Sequence, residues 1–312
     1  MVRRLLARIG QALVVLLAAF TASFLLLQAL PADAILIKFM NPDLGLSPEQ
    51  IAEIHAAYGA GMPLWSQYLH ALGNFLTGDF GTSVQAGVPV RDSLAANLPA
   101  TLTLAALGFL AAVILALAVS FLSNLTGFVW LRNSLAALPS LFVSVPVFWL
   151  GILLIQVFSF QLKLVPVIDP GPWERLILPV AALAVPISAP LAQILMRNID
   201  AVLTQPFVAV ARAKGASRHS VLWRHVVPNA LLPTLTIAGV LFGELLAGAV
   251  VTETVFGLNG LGTLTQQAVA NQDMAVLQAV VVISATAFVL INLAVDLLYP
   301  LLDPRIAEAD AR

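Results

Sequence analysis

Cysteine is absent from all 312 residues. That excludes disulfides, Cys-ligated zinc and thiol nucleophiles. The four histidines are scattered, which leaves little for a His-rich metal site. Charge is also scarce: Asp, Glu, Lys and Arg make up 10% of the chain, against roughly 25% in soluble domains. A chain so depleted hides its surface in something other than water. With 60% hydrophobic residues and a mean hydropathy of +0.96, it reads as a polytopic membrane protein. No Gly-x-x-x-x-Gly-Lys-Ser/Thr stretch is present to cradle nucleotide phosphates, and neither His-Glu-x-x-His nor Gly-x-Ser-x-Gly occurs. No nucleophile–base pairing can be read, so an intramembrane enzyme has little support. No nucleic acid, cofactor or metal is expected on this chain.

What is present is a succession of apolar runs. Arg3, Arg4 and Arg8 precede the first, from about Ile9 to Leu30. Ala32-Asp33-Ala34 imitates a signal-peptide cleavage site, but a signal core is about 7–15 residues. The observed run is longer and, at about 1.5 Å per residue, crosses a hydrocarbon core of roughly 30 Å. Residues 1–30 are therefore read as a retained first transmembrane helix. Further spans are expected at Thr101–Leu122, Leu135–Phe160, Leu176–Leu195, Ala230–Val251 and Leu277–Leu301. Pro139 and Pro146 should bend the third. Pro179, Pro186 and Pro190 should make the fourth irregular and bury it in protein.

Residues 31–96 form the only long polar region, rich in Asp and Glu, and are assigned to the non-cytoplasmic side. Ser47-Pro48-Glu49-Gln50 reads as a helix start, with Ser47 capping and Gln50 closing a capping box. That helix should run to about Tyr58 and stop at Gly59. Trp65, Tyr68 and Phe75 read as a small apolar face on the membrane rim. With both termini inside, eleven basic residues are cytoplasmic and only Lys38, Arg91, Lys163 and Arg175 fall outside. This bias supports six spans, N-in and C-in, with residues 97–303 as the main membrane domain and 304–312 as a cytoplasmic tail.

Between the fourth and fifth spans lies a basic island, with Arg212, Lys214, Arg218 and Arg224. Pro206 suits a first helical turn and Thr204 a cap. The helix should reach Lys214 and end at Gly215, and Ser217 should cap a second one leading through Val221 and Leu222 into the fifth span. The small residues Ala209, Ala211, Ala213, Gly215 and Ala216 give this loop a low profile that another protein can cover. Taken on composition alone, the loop could equally attract anionic lipid headgroups.

Several motifs, in order, resemble the permease subunits of binding-protein-dependent ABC importers, in the dipeptide/oligopeptide/nickel branch. Ala209, Ala211 and Gly215 match the small-residue pattern of that family's EAA loop, although Ala209 stands where the Glu is expected and Val210 where the middle Ala is. Val227-Pro228 stands at its Leu-Pro. Similar stretches are GDFGTS at Gly78–Ser83, Pro89-Val90, LPATLTL at Leu98–Leu104, Glu253–Phe256 followed by Gly260-Leu-Gly262, and NLAVDLLYPLLDPR at Asn292–Arg305. Pro31-Ala32-Asp33 and Gly59–Pro63, both in the external region, depart from the branch's pattern.

The resemblance implies an all-α integral membrane protein with six transmembrane helices and a type I importer fold. It implies a second, similar permease subunit and two cytoplasmic ATPases that carry ATP and Mg. It also implies an extracytoplasmic solute-binding protein and a setting in the lipid of a bacterial inner membrane. The coupling loop, 204–228, would enter the ATPases through Ala209, Ala211, Arg212, Ala213, Lys214, Gly215, Ala216, Ser217 and Pro228. The cargo would be a di- or oligopeptide, with nickel or another metal on a chelator, glutathione and short glycans also carried by similar permeases.

Glu244 and Asp296 lie within expected spans, where a charge is expensive. Each can line a pathway, bond a neighbouring helix or relay protons. The last role would make the protein a proton-coupled secondary transporter. Asn292, four residues before Asp296 on one helix face, can bridge helices. Glu253, Gly260 and Gly262 are candidates for a gate, since the resemblance implies that Gly257–Gly262 re-enters the membrane near the outer mouth; the same glycines also suit a plain loop turn.

Overall fold

The computed structural model describes residues 2–29, 47–50 and 62–302, without the side chains of 2–5, 232, 236, 247 and 295–302. The expectations for 31–46, for a helix reaching Tyr58 and stopping at Gly59, and for the tail 304–312 lie outside the described residues. Among the described residues every regular element is a helix. The one β feature is an isolated antiparallel bridge between Thr82 and Pro89. Four helices are long and apolar enough to cross a membrane: Leu6–Gln28, Val90–Leu125, Glu174–Leu203 and Met274–Ala294. Two bent pairs raise the number to six if each counts as one span: Val129–Ser144 with Val147–Gln161, and Arg218–Leu231 with Pro233–Leu246.

The chain divides into two compact units, residues 1–100 with 258–289 and residues 101–257 with 290–312. The first unit holds α1 (Val2–Gln28), α2 (Leu64–Thr77), the start of α3 (Val90–Leu125), α10 (Leu261–Ala270) and most of α11 (Met274–Leu302). The expected box at Ser47 is formed. The Ser47 N–H donates to Gln50 Oε1 at 2.8 Å, and the Gln50 N–H donates to Ser47 Oγ at 3.3 Å.

Helix α2 is pinned to α1 by aromatic edges: Tyr68 meets Phe20 and Phe24, and Phe75 meets Phe20. The Tyr68 and Thr21 hydroxyls share a 2.8 Å hydrogen bond. Of the three aromatics expected on one face, Tyr68 and Phe75 pack inward and Trp65 stays exposed. The core of this unit joins Val90 and Leu94 of α3 to Leu261 and Ala268 of α10 and to Val276, Ala279 and Val280 of α11. Helix α3 begins eleven residues before its expected span. Residues 90–96, expected in the external region, are therefore its first turns, with Asp92 favourably placed near the helix N-terminus.

The second unit is built on α6 (Glu174–Leu203). The expectation of an irregular fourth span is corrected, because Pro179, Pro186 and Pro190 all sit inside one continuous 30-residue helix. The expected burial is there: 56% of its most apolar stretch is inside the protein, against 17% for α1. Neighbouring helices α4 (Val129–Ser144), α5 (Val147–Leu154) and α9 (Val227–Phe256) pack on it. The third expected span is also corrected. Pro139 lies buried within α4 without ending it, and the chain breaks at Val145-Pro146, where both residues are extended and the limbs diverge by 102°. Proline disfavours a helical conformation for the residue before it, which places the break at Val145. Helix α5 continues as π-helical turns over Ile155–Gln161. Gly151 lets α5 approach α9 closely, since a Cβ there would meet Phe256 at 3.1 Å and Val255 at 3.2 Å.

Candidate functional site

The basic island folds as an elbow of two short helices. Thr204 does not cap the helix that follows it, as the sequence suggests. It closes α6, with its hydroxyl donating back to the Ala201 carbonyl at 2.8 Å. Gln205 is extended, and α7 runs from Pro206 to Ala213 with Arg212 in its last turn, favourable beside the partial negative charge of a helix C-terminus. Gly215 sits at φ +84, a conformation that glycine adopts without steric cost. The Gly215 N–H reaches the Arg212 carbonyl at 2.9 Å, and the Ala216 N–H reaches that of Ala211 at 3.2 Å. This is a Schellman closure, and it satisfies two carbonyls the helix end would otherwise leave open.

Ser217 then caps α8 (Arg218–Val221) by accepting from the Ser220 N–H at 3.2 Å. The helix widens into π-helical turns over Leu222–Val226 before α9 begins. The cause is Pro228, at the start of α9. It has no N–H to donate, and its ring would crowd the carbonyl of Arg224 in a regular α-helix. Asn229 donates from its side-chain amide to the His225 carbonyl at 2.8 Å.

The elbow is wedged rather than hung. Val208, Ala211, Val221, Leu222 and Val226 form one buried cluster with Leu195 and Ile199 of α6, and Leu117, Phe121 and Leu125 of α3 pack against it. Arg218 donates to the carbonyl of Asn124, in the last turn of α3, where a cation also meets the negative end of the helix dipole. Trp223 packs against Phe121 with ring centroids 4.8 Å apart and the planes tilted by 46°. Sequence reasoning missed the Arg218 tie. A lone arginine in a basic loop gives no sign of which distant carbonyl it will reach.

The expected contact residues do not share one environment. Ala209, Arg212, Ala213, Lys214, Gly215, Ser217 and Pro228 are exposed, Ala216 is half-buried, and Ala211 is buried in the cluster. Ala211 therefore belongs to the packing of the elbow, which corrects its placement on the outward face. That face also carries Phe207 and Val210, 44% and 53% exposed, which sequence reading did not select.

The polar candidates in the spans are separated as well. Glu253 is fully buried, and Thr101 Oγ1 donates to its carboxylate at 2.6 Å. Glu244 is exposed. Asn292 is half-buried, while the side chain of Asp296 lies outside the described residues. Gly257 closes α9 at φ +62, and Gly260, extended and buried, precedes α10, in which Gly262 is buried. The Thr263 hydroxyl bonds the Leu258 carbonyl and accepts from the Gly260 N–H at 3.4 Å. Gly257 thus ends α9, and the Thr263 hydroxyl holds the backbone just before α10. Among the described residues no three His, Asp or Glu side chains gather to hold a metal ion.

In the first unit Asp273 is buried and bonds Ser83 Oγ at 2.5 Å, and it accepts from the backbone N–H groups of Gln85 and Val276, each at 3.3 Å. The cap at the head of α11 was readable, because an Asp directly before an apolar helical run is a usual N-cap signal. The bond to Ser83, 190 residues away, was not.

Comparison with known proteins covers nearly the whole chain. Residues 125–308 match the family described as the inner membrane component of binding-protein-dependent transport systems, and residues 1–105 match the N-terminal part of such membrane components. A probable peptide ABC transporter permease of Sinorhizobium fredii is 36% identical over 291 residues, 91% of this chain and 92% of that protein. A putative peptide transport system permease of Brucella abortus is 36% identical over 311 residues, covering 97% and 98%. The glutathione transport system permease of Escherichia coli K12 is 34% identical over 284 residues, covering 91% and 92%. Among solved structures, an inward-facing MetNI methionine ABC transporter superposes with TM-score 0.55 at 20% identity, covering 67% of this chain and 96% of that one. An amino acid ABC transporter gives 0.51 at 20% identity, covering 69% and 94%. At that identity the likeness is one of fold.

Proposed function

The chain belongs to the family of inner-membrane components of binding-protein-dependent transport systems, and from that premise we propose that it forms half of a pathway importing small peptides, driven by ATPases that grip its elbow. As a permease of an ABC importer it is a multi-pass inner-membrane protein working with other components of its system. The proton-coupled alternative, built on Glu244 and Asp296, finds no support, since the relatives named above are ABC transport permeases.

In this reading both termini face the cytoplasm and the chain crosses six times. A second, similar permease completes the pathway, two cytoplasmic ATPases hold ATP and Mg, and an external binding protein delivers the cargo. The chain itself does no covalent chemistry. Peptide cargo is favoured because relatives named for peptides or glutathione, itself a tripeptide, align over nine-tenths of the chain.

The observation that carries the proposal is the build of the elbow. A lever must be stiff, exposed on one side and fixed to spans on the other. The Schellman closure and the Ser217 cap stiffen it. Ala209, Ala213 and Gly215 leave its outer face low, and the Leu195–Val226 cluster fixes its inner face to α6 and α3. A loop that only attracted lipid headgroups would need its positive charges but not this packing.

The test is reconstitution of the chain with the second permease, ATPases and binding protein of its system, followed by uptake of a labelled tripeptide. Uptake that needs ATP and the binding protein is expected. Uptake by this chain alone, insensitive to ATP, overturns the reading.

A further inference from the structure

Helix α9 carries two carboxylates within a span, and the fold treats them in opposite ways. Glu253 is sealed inside and bonded by Thr101. Glu244 lies nine residues earlier on a stripe with Pro233, Val240 and Val251, all exposed. Their spacings of seven, four and seven residues keep them on one face of a helix. Among the described residues nothing bonds the Glu244 carboxyl group.

Hydrocarbon cannot be what covers this stripe. Ionisable side chains within spans face a bundle interior or a water-filled cavity, because lipid tails offer neither charge nor hydrogen bond. Water fills such a cavity between cargoes, and two groups can meet the charge itself: a basic group of the neighbouring permease, or the cargo. A neighbouring span would have to bring in a Lys or Arg, a second expensive charge to answer the first. A peptide brings its own: its α-ammonium group enters the pathway with every molecule carried. The other members of the stripe are apolar, so an approaching ammonium finds one charge complement there, Glu244.

We propose that Glu244 is the group in the pathway that receives the positively charged amino terminus of a peptide cargo. This rests on the peptide-import reading above. Val240 and Val251 line the approach on either side, and their exposure leaves the carboxylate open to an incoming chain.

The test uses the complete reconstituted importer and two cargoes differing by one charge, trialanine and N-acetyl-trialanine. The binding protein is the same throughout, so any change in their uptake ratio on substitution belongs to the permease. Glu244→Gln is expected to lower the ratio of free to acetylated uptake by about tenfold, the effect of one hydrogen bond to a charged group. Glu244→Asp keeps most of it. An unchanged ratio in Glu244→Gln, whether total uptake is kept or lowered, overturns the proposal.

A second arm does not depend on the cargo. In this cysteine-free chain, Val240→Cys should react faster with a cationic thiol reagent than with an anionic one, and Glu244→Gln should abolish that preference. No reaction with either reagent overturns the placement of the stripe in a water-filled pathway. If the native importer takes up neither peptide, the peptide reading itself fails, and the thiol arm still shows whether Glu244 attracts cations.

Discussion

Thr101 and Glu253, 152 residues apart in sequence, meet through a 2.6 Å hydrogen bond with neither side chain open to solvent. Thr101 sits on α3 and Glu253 near the end of α9, so the bond ties two membrane helices of one unit. A buried carboxylate that loses a donor keeps its desolvation cost. Thr101→Val, which keeps the shape and removes the hydroxyl, is expected to destabilise the protein by about 1–3 kcal/mol. Thr101→Ser should stay near the native value. Thermal unfolding in detergent measures both, and a Thr101→Val midpoint at or above the native one contradicts the bond's role.

The elbow separates packing from docking through two alanines two residues apart. Ala211→Asp places a charge in the buried cluster of Leu195, Val208 and Val221. It should cost several kcal/mol and lower the yield of folded protein. Ala213→Asp changes an exposed position. It should leave the melting temperature within about 1 °C, given that surface substitutions cost at most about 0.5 kcal/mol, while abolishing ATP-driven uptake. Stability and uptake measured side by side distinguish them. Coupling that survives Ala213→Asp removes the docking role.

This separation shows where sequence reading stops. The elbow's ends were legible because they are local. Pro206, Gly215 and Ser217 each act within a turn of themselves, and all three stand where expected. Ala211 was misplaced because small residues at 209, 211, 213, 215 and 216 fall on every side of a helix and do not tell the inner from the outer face. The prolines mislead for a related reason. Each of the three in α6 removes a backbone donor, yet the helix stays unbroken among its packed neighbours, whereas Pro146 breaks its span. Nothing in the residues alone tells the two outcomes apart. The long-range ties, Arg218 to Asn124 and Ser83 to Asp273, depend on the assembled fold.

Gly215 is the hinge of the elbow's shape. At φ +84 a side chain costs about 1–2 kcal/mol. Gly215→Ala should therefore loosen the Schellman closure and change the angle between α7 and α8. The expected result is ATP turnover that no longer tracks peptide uptake, with at least a several-fold drop in peptides carried per ATP. A ratio unchanged from the native chain contradicts the claim that the elbow's angle transmits force.

Asp273 holds the loop between α2 and α3 against the head of α11 through Ser83 and the Gln85 N–H. Asp273→Ala should speed amide hydrogen exchange at Gln85 and Val276, whose N–H groups it accepts, by roughly tenfold or more for the loss of about 1.5–3 kcal/mol of charge-assisted bonding. Exchange in α6, in the other unit, should not change. Uniform acceleration across the chain would instead mean a global loss of stability.

The most direct test of the account is cross-linking from the elbow. The chain has no cysteine, so Ala213→Cys introduces one thiol that reports alone. With a cysteine placed in turn along the groove of the partner ATPase, a disulfide should form in high yield at one groove position. It should block ATP-driven uptake and restore it on reduction. If Ala213→Cys forms no disulfide with any groove position, and is instead modified by a membrane-impermeant thiol reagent added outside intact cells, the elbow is on the wrong side of the membrane and touches no ATPase.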